Sequence, residues 1–149
     1  MMYQKLINDY KILKKQASWL EYSYNECRAI GIKQAYTIEE FGKFEILCSR
    51  YSRTIDFLIR KIFRTIDAYA FENQGTLIDV VNNAHKRGLV EDIDELRVMK
   101  DIRNTIVHEY IEDELVDTFD EVLEYSDKLL KILNKTLEYI DNIGESSNV

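Results

Sequence analysis

Four residues with chemically useful side chains lie close together in the second half of the chain: Arg103, Asn104, His108 and Tyr110. A guanidinium carries paired N–H donors that match a phosphate, and histidine titrates near neutral pH, where it can accept or donate a proton. Asn104 and His108 are four residues apart, so they are neighbours on one edge of a helix. These residue types suit proton transfer beside a phosphate group.

Arg103 needs an explanation because it falls in an apolar sector of its predicted helix. On a helical wheel at about 100° per residue, the sector around it contains Leu96, Met99, Ile106, Val107 and Tyr110. Burial of an unpaired guanidinium costs several kcal/mol, so Arg103 requires a carboxylate, a bound anion or a wet cleft. The sector faces either the core or another subunit. From the residues alone, a structural arginine paired with a carboxylate is the simpler interpretation.

The segment Met99–Tyr110 contains the pattern R-N-x-x-x-H-x-Y. This pattern resembles the signature of HEPN-domain proteins, in the form carried by HepT-type toxins that are paired with a minimal nucleotidyltransferase (MNT) antitoxin. The resemblance extends to residues 75–89, where a short helix ends in the pattern A-x-x-x-G-L at Ala84, Gly88 and Leu89. The first two helices match the family only in length and amphipathicity.

The resemblance implies a metal-independent endoribonuclease toxin that is a dimeric helical bundle and needs no cofactor. It implies that Arg103 contacts the scissile phosphate, that His108 transfers protons during attack by the RNA 2′-hydroxyl, and that Asn104 orients one of the two. It further implies that the MNT antitoxin adenylylates Tyr110 and so silences the enzyme. A symmetric dimer would bring two copies of the motif to one cleft, which supplies both a base and an acid.

Two other functions are compatible with the same residues. A non-catalytic HEPN module could use Arg103 and His108 to hold a nucleotide phosphate and present substrate to a nucleotidyltransferase. A purely structural helical dimer is the third hypothesis. The first two predict an MNT-type partner, and only the ribonuclease predicts cleavage that depends on the motif.

A second group of cations lies on the predicted long helix. Its members fall within about 80° of one another, opposite an apolar face: Arg50, Arg53, Arg60 and Arg64. The chain has a net charge of −7, which argues against a general affinity for nucleic acid. The arginines are therefore either a solvated face or a local binding site for RNA phosphates or an acidic partner.

No metal site is predicted. The acidic residues that follow the motif match no known metal-binding loop and are interpreted as a solvated turn: Glu112, Asp113, Glu114 and Asp117. No histidine or cysteine cluster has the spacing of metal ligands. Cys27 and Cys48 are predicted to be small buried residues in a reducing compartment.

The elements that position these residues are predicted to be helices. The chain has 149 residues, no proline and only five glycines, which favours one all-α domain. We expect an up-and-down bundle of about five helices over residues 1–143 and a frayed polar tail at 144–149. The predicted helices two and four run over residues 38–71 and 93–110.

Local signals mark where these helices begin and end. Thr37 and Thr76 each start a capping box, and Gly31 and Gly88 each end a helix. No segment has the apolar core of a signal peptide or the length of a membrane span. A cytoplasmic protein without membrane association is therefore expected.

Overall fold

In a computed structural model, the backbone is described for residues 2–70, 75–112 and 114–147, and the side chains for 4–70, 75–111 and 114–144. The α-helices are α1 (Met2–Ile30), α2 (Ile38–Phe57), α3 (Phe63–Tyr69), α4 (Leu77–Lys86), α5 (Ile93–Glu112) and α6 (Phe119–Ser147). A π-helical turn, Leu58–Ile62, joins α2 to α3 in one rod, and a 3-10 turn, Leu115–Thr118, precedes α6. Over the described ranges the protein consists of five helical rods without a strand, which confirms the all-α prediction.

The long rods run up and down. α1 is antiparallel to the rod formed by α2 and α3, because Ser23 bonds to Arg50 at one end and Asp9 bonds to Thr65 at the other. α6 packs along both α1 and α2, and α5 lies against α2 and α6. The short helix α4 packs on α3 and α5. The motif helix α5 is therefore held on the side of the bundle formed by α2.

One hydrophobic core fills the bundle. Its largest fully buried side chains come from α1, from the α2–α3 rod and from α6: Tyr51, Phe44, Phe63, Phe119, Leu6, Leu13, Leu20 and Leu47. The predicted buried cysteines are confirmed, since Cys27 and Cys48 are unpaired and buried, and burial raises the pKa of each thiol to about 12. Among the helices described, none combines the length and the apolar character needed to cross a membrane.

The local signals for helix starts and stops are confirmed. The Thr37 hydroxyl accepts from the Glu40 backbone N–H at 3.1 Å, and the Glu40 carboxylate accepts from the Thr37 N–H at 3.0 Å. Thr76 forms the same capping box at the start of α4. Gly31 and Gly88 have φ of 77° and 79°, a conformation that other residues adopt only with strain.

Some boundaries differ from the predictions. The predicted end of the second helix, Phe71, lies outside the described residues. α5 continues two residues beyond Tyr110 to Glu112, and α6 runs past Gly144 to Ser147. The π-helical turn is the largest difference, because a helix with one extra residue in a turn changes which residues face the same side.

Candidate functional site

The buried face of α5 is narrower than its sequence pattern indicates. The residues that point into the core are Leu96, Met99, Ile102 and Ile106. Val107 and Tyr110, predicted to share the apolar sector, are 43% and 55% exposed. Within one protomer, α5 is covered by α2, α4 and α6, so Val107 and Tyr110 do not face the core. Arg103 therefore lies at the edge of the buried face and not in its middle.

A buried hydrogen bond fixes α5 against α2 just before the motif. The Tyr51 hydroxyl donates to the backbone carbonyl of Met99 at 3.0 Å. Tyr51 is fully buried, and desolvation raises its pKa above the ordinary value for tyrosine. The phenol therefore keeps its proton as a donor, and Met99 lies one helical turn before Arg103.

Arg103 is paired with Asp56 of α2. The Nε–H lies 3.1 Å from both carboxylate oxygens, and Nη2 lies 2.9 Å from Oδ2. The Arg103 and Asp56 side chains are 32% and 36% exposed, so water reaches the pair. A pair this exposed stabilises the fold by about 1 kcal/mol or less. Asp56 is the carboxylate that the sequence argument required, and it holds the guanidinium in one orientation.

The side-on geometry of this pair leaves part of the guanidinium available. Arginine has five N–H donors, and Asp56 engages the edge formed by Nε and Nη2. The outer edge, formed by Nη1 and Nη2, points away from that carboxylate. One weak contact, from Nη1 to Asn104 Oδ1 at 3.4 Å, lies on this edge. A phosphate can therefore be bound by the outer edge while Asp56 keeps the side chain in place.

His108 and Asn104 are both exposed on α5. Within the described part of the chain, His108 makes no hydrogen bond or ion pair, so both ring nitrogens are accessible to a substrate. The second histidine, His85, is at the end of α4, where its Nδ1 lies 2.8 Å from the Val90 carbonyl oxygen. That contact requires a proton on Nδ1, and it gives His85 a structural partner near the end of α4. Of the two histidines, His108 is therefore the one available at the surface that carries the motif.

Tyr110 has a different environment from Arg103. Its hydroxyl donates to the Glu45 carboxylate of α2 at 3.0 Å, and that hydrogen bond raises the pKa of Tyr110. The phenol is neutral at neutral pH and its oxygen is accessible from solvent. Tyr110 is seven residues beyond Arg103, about 10 Å along the helix. The cation and the phenol thus lie on one side of α5, each oriented by a carboxylate of α2.

An acidic group lies next to Tyr110. Glu109, Glu114 and Asp117 each place a carboxylate oxygen within 4.8 Å of the others, and Glu109 Oε2 is buried with no hydrogen-bond partner among the described residues. Three carboxylates at this separation are the residues with which this part of the chain could hold a cation. The predicted turn included Glu114 and Asp117, whereas Asp113 and the side chain of Glu112 lie outside the described residues. The contribution of Glu109 was not predicted.

The predicted arginine stripe occupies two faces. Arg50 and Arg53 are on the side of α1: Arg50 Nη1 donates to Ser23 Oγ at 2.7 Å and lies over the Trp19 ring, and Arg53 lines the same surface. Arg60 instead lies beside Arg103 in a shallow pocket between the π-helical turn and α5. Arg60 lies in the π-helical turn, four residues after Asp56, which lines the same pocket. Arg64, farther along the rod, is exposed.

Three functional contacts were missed by sequence reasoning: Asp56, Glu45 and Lys100, which lines the pocket beside Arg103. The sequence gives a weak indication of Asp56, because it is a carboxylate located among the arginines of one helix. Glu45 and Lys100 carried none, since each is one of many charged residues on an amphipathic helix.

No protein-family model matches this chain, and no curated protein or solved structure matches it. The functional argument therefore depends on the motif of α5 and on the contacts that its residues make.

Proposed function

We propose that this protein is a metal-independent endoribonuclease toxin of the HEPN/MNT type, which cuts RNA with Arg103 and His108. The observation that carries the proposal is the arrangement of Arg103. Asp56 holds it by one edge, and its outer N–H edge stays accessible beside exposed Asn104, which precedes exposed His108 by one helical turn. A merely structural ion pair does not require a free outer edge.

The proposed reaction is an internal transfer at phosphorus. The 2′-oxygen of one nucleotide attacks the neighbouring phosphorus, the bond from phosphorus to the 5′-oxygen breaks, and the products are a 2′,3′-cyclic phosphate and a 5′-hydroxyl. His108 accepts the proton of the 2′-hydroxyl or donates one to the leaving 5′-oxygen. Arg103 stabilises the charge that develops on the phosphate oxygens.

Two proton transfers need two groups, and each chain contributes one motif histidine. We therefore propose a two-fold dimer in which the motif faces of two α5 helices form one cleft. Exposed Val107, Tyr110 and Ile111 on this face provide apolar surface suited to an interface. A solution mass equal to that of the monomer at micromolar concentration would contradict a shared site.

Control of the enzyme is proposed to occur at Tyr110. An MNT-type nucleotidyltransferase would join the Tyr110 oxygen to the α-phosphorus of ATP, with release of pyrophosphate and loss of the phenol proton. The product lacks the proton that Glu45 accepts, and its phosphodiester is repelled by the Glu45 carboxylate. The bulky adenylyl group would therefore turn away from Glu45 and into the cleft that RNA must enter.

A non-catalytic nucleotide-binding partner of a nucleotidyltransferase is the second candidate. The Arg103–Asp56 pair favours it in one respect, because Asp56 offsets the positive charge that a cleaving site would present. The two candidates differ in one product: only the ribonuclease makes new RNA ends.

The decisive experiment compares cleavage by Arg103→Ala, His108→Ala and a matched control, Arg97→Ala. Arg97 is an exposed arginine on the same helix with only a weak contact to Asp94. Total cellular RNA and end-labelled oligoribonucleotides serve as substrates. We expect at least a 100-fold loss for both motif variants, no loss for Arg97→Ala, and unchanged helical content by circular dichroism.

Oligonucleotides with 2′-deoxy sugars should resist cleavage, since they lack the attacking oxygen. Cleavage that survives Arg103→Ala and His108→Ala would refute the proposed chemistry. With the nucleotidyltransferase partner present, the wild-type chain should gain about 329 Da at Tyr110, the mass of AMP less water. Tyr110→Phe should remain active and unmodified.

A further inference from the structure

A shallow pocket beside the motif contains more positive charge than the motif itself. It lies between the π-helical turn and α5 and is lined by Asp56, Ile59, Arg60, Leu77, Lys100, Arg103 and Asn104. Arg60 is exposed and Lys100 is half-buried. Neither residue belongs to the R-N-x-x-x-H-x-Y pattern. Arg60 lies in the π-helical turn and Lys100 lies on α5.

The charges of the pocket are unbalanced. Three cations and one carboxylate line it, so its formal charge is 3 − 1 = +2. The single carboxylate, Asp56, is already bound by Arg103 through both oxygens. Arg60 and Lys100 form no ion pair with any residue in the described part of the chain. In a chain with a net charge of −7, two unpaired cations that share a pocket with a third form a local site for an anion.

Arg60 enters this pocket from the π-helical turn over Leu58–Ile62. It lies four residues after Asp56, so the two side chains project from the same side of the rod. Turns of this kind occur mostly as single bulges and often at functional sites.

We infer that Arg60 and Lys100 form a second phosphate subsite, which binds the RNA backbone phosphate next to the one held by Arg103. The inference rests on the proposed ribonuclease function, and it extends the substrate contact from one phosphate to two on each protomer. The subsite recognises the backbone and not the base. No aromatic side chain is among the lining residues, so the pocket offers no platform for base stacking.

The test measures binding of an uncleavable oligoribonucleotide by fluorescence anisotropy as a function of salt. The probe is single-stranded and carries a 2′-O-methyl group at every position, so no 2′-oxygen can attack a phosphate. Each phosphate contact contributes about 0.7 to the slope of log affinity against log salt. The double variant Arg60→Gln, Lys100→Gln removes one phosphate contact, so it should flatten the slope by about 0.7 and weaken binding about fivefold at 0.1 M salt.

Arg53→Gln, Arg97→Gln is the matched control, because it removes the same number of charges from the same rod and the same helix but outside the pocket. It should leave the slope unchanged. An equal loss in this double control would overturn the inference, since the effect would then be a general one of net charge. An unchanged slope in the double variant would also overturn it.

Binding of ATP in the same assay separates a backbone subsite from a nucleotide site. Loss of ATP binding without a change in the RNA slope would assign the pocket to a nucleotide and refute the inference. Failure of the proposed ribonuclease function gives a different result. In that outcome the chain does not cut RNA, but the double variant still shows a flattened salt dependence of RNA binding.

Discussion

In the described part of the chain, two arginine–aspartate pairs join different helices and use the same chemical groups in different surroundings. Arg87, at the end of α4, bonds to Asp67 of α3, and their side chains are 12% and 1% exposed. Asn83 donates to the second oxygen of Asp67 at 3.3 Å. Arg103 and Asp56 are about one-third exposed, and the outer edge of that guanidinium faces a pocket. The first pair lies inside the fold, whereas the second lies at the surface that the motif forms.

The difference shows how a structural pair can be separated from a functional one. A buried aspartate requires its counter-charge and hydrogen bonds, because an isolated charge in the interior is unstable. An exposed pair adds little stability, so its geometry is free to serve another purpose. Asp67 and Arg87 therefore hold α3 and α4 together, while Asp56 fixes the orientation of Arg103 at the surface, where we propose that it binds a phosphate.

The largest effect should be on folding, in a matched pair of variants. Asp67→Asn leaves the Arg87 charge without a buried counter-charge, which should lower the free energy of unfolding by about 3–5 kcal/mol. Asp56→Asn should lower it by about 1 kcal/mol or less. Urea denaturation followed by circular dichroism measures both. Equal losses in the two variants would remove the distinction between the pairs.

The second-largest effect is expected on the rate of RNA cleavage, and here Asp56→Asn should be more damaging than Asp67→Asn. Asp56→Asn loosens the guanidinium, and we expect kcat to fall about 10- to 100-fold, because small misplacements of catalytic groups are costly. KM should not rise, since the variant removes a negative charge beside the substrate phosphate. Asp67→Asn should retain the kcat of the wild type when rates are expressed per folded molecule. A rise in KM at constant kcat for Asp56→Asn would assign Asp56 to substrate binding instead.

A smaller effect is expected at Tyr110, whose contact with Glu45 is more exposed than either ion pair. The Glu45 carboxylate raises the pKa of Tyr110 above the ordinary value of 10.0. The hydrogen bond is therefore complete below pH 10 and is lost as the pH rises through that raised pKa. Glu45→Gln should lower the pKa, as measured by carbon-13 NMR of ring-labelled tyrosine. The Tyr110→Phe spectrum assigns the signal, and a pKa that stays raised in Glu45→Gln would show that the carboxylate is not the cause.

The smallest effect is expected from removal of metal ions. Cleavage by Arg103 and His108 needs no cation, so EDTA should leave the rate within about twofold of the untreated enzyme. The acidic group of Glu109, Glu114 and Asp117 makes this a real test, because it is the place where a cation could bind. Activity that disappears in EDTA and returns with a divalent ion would contradict the mechanism. Asp117→Asn would then show whether that group holds the ion.

Much of the fold could be predicted from the sequence because it depends on short-range interactions. Thr37 and Thr76 cap helices through atoms three residues away, and Gly31 ends α1 with its own backbone conformation. The candidate site was harder to predict from the sequence. Its four motif residues were found on α5, but the side chains that orient two of them were not.

The sequence by itself determined an all-helical chain and the presence of Arg103, Asn104, His108 and Tyr110 on one helix. Only the tertiary structure decided that Arg103 pairs with Asp56, 47 residues away, and Tyr110 with Glu45, 65 residues away. Pairing between helices depends on how they are aligned and rotated, and local patterns do not encode either. The arginines of the rod show the same dependence: Arg60 lies beside Arg103 in a pocket next to α5, whereas Arg50 and Arg53 lie on the side of α1.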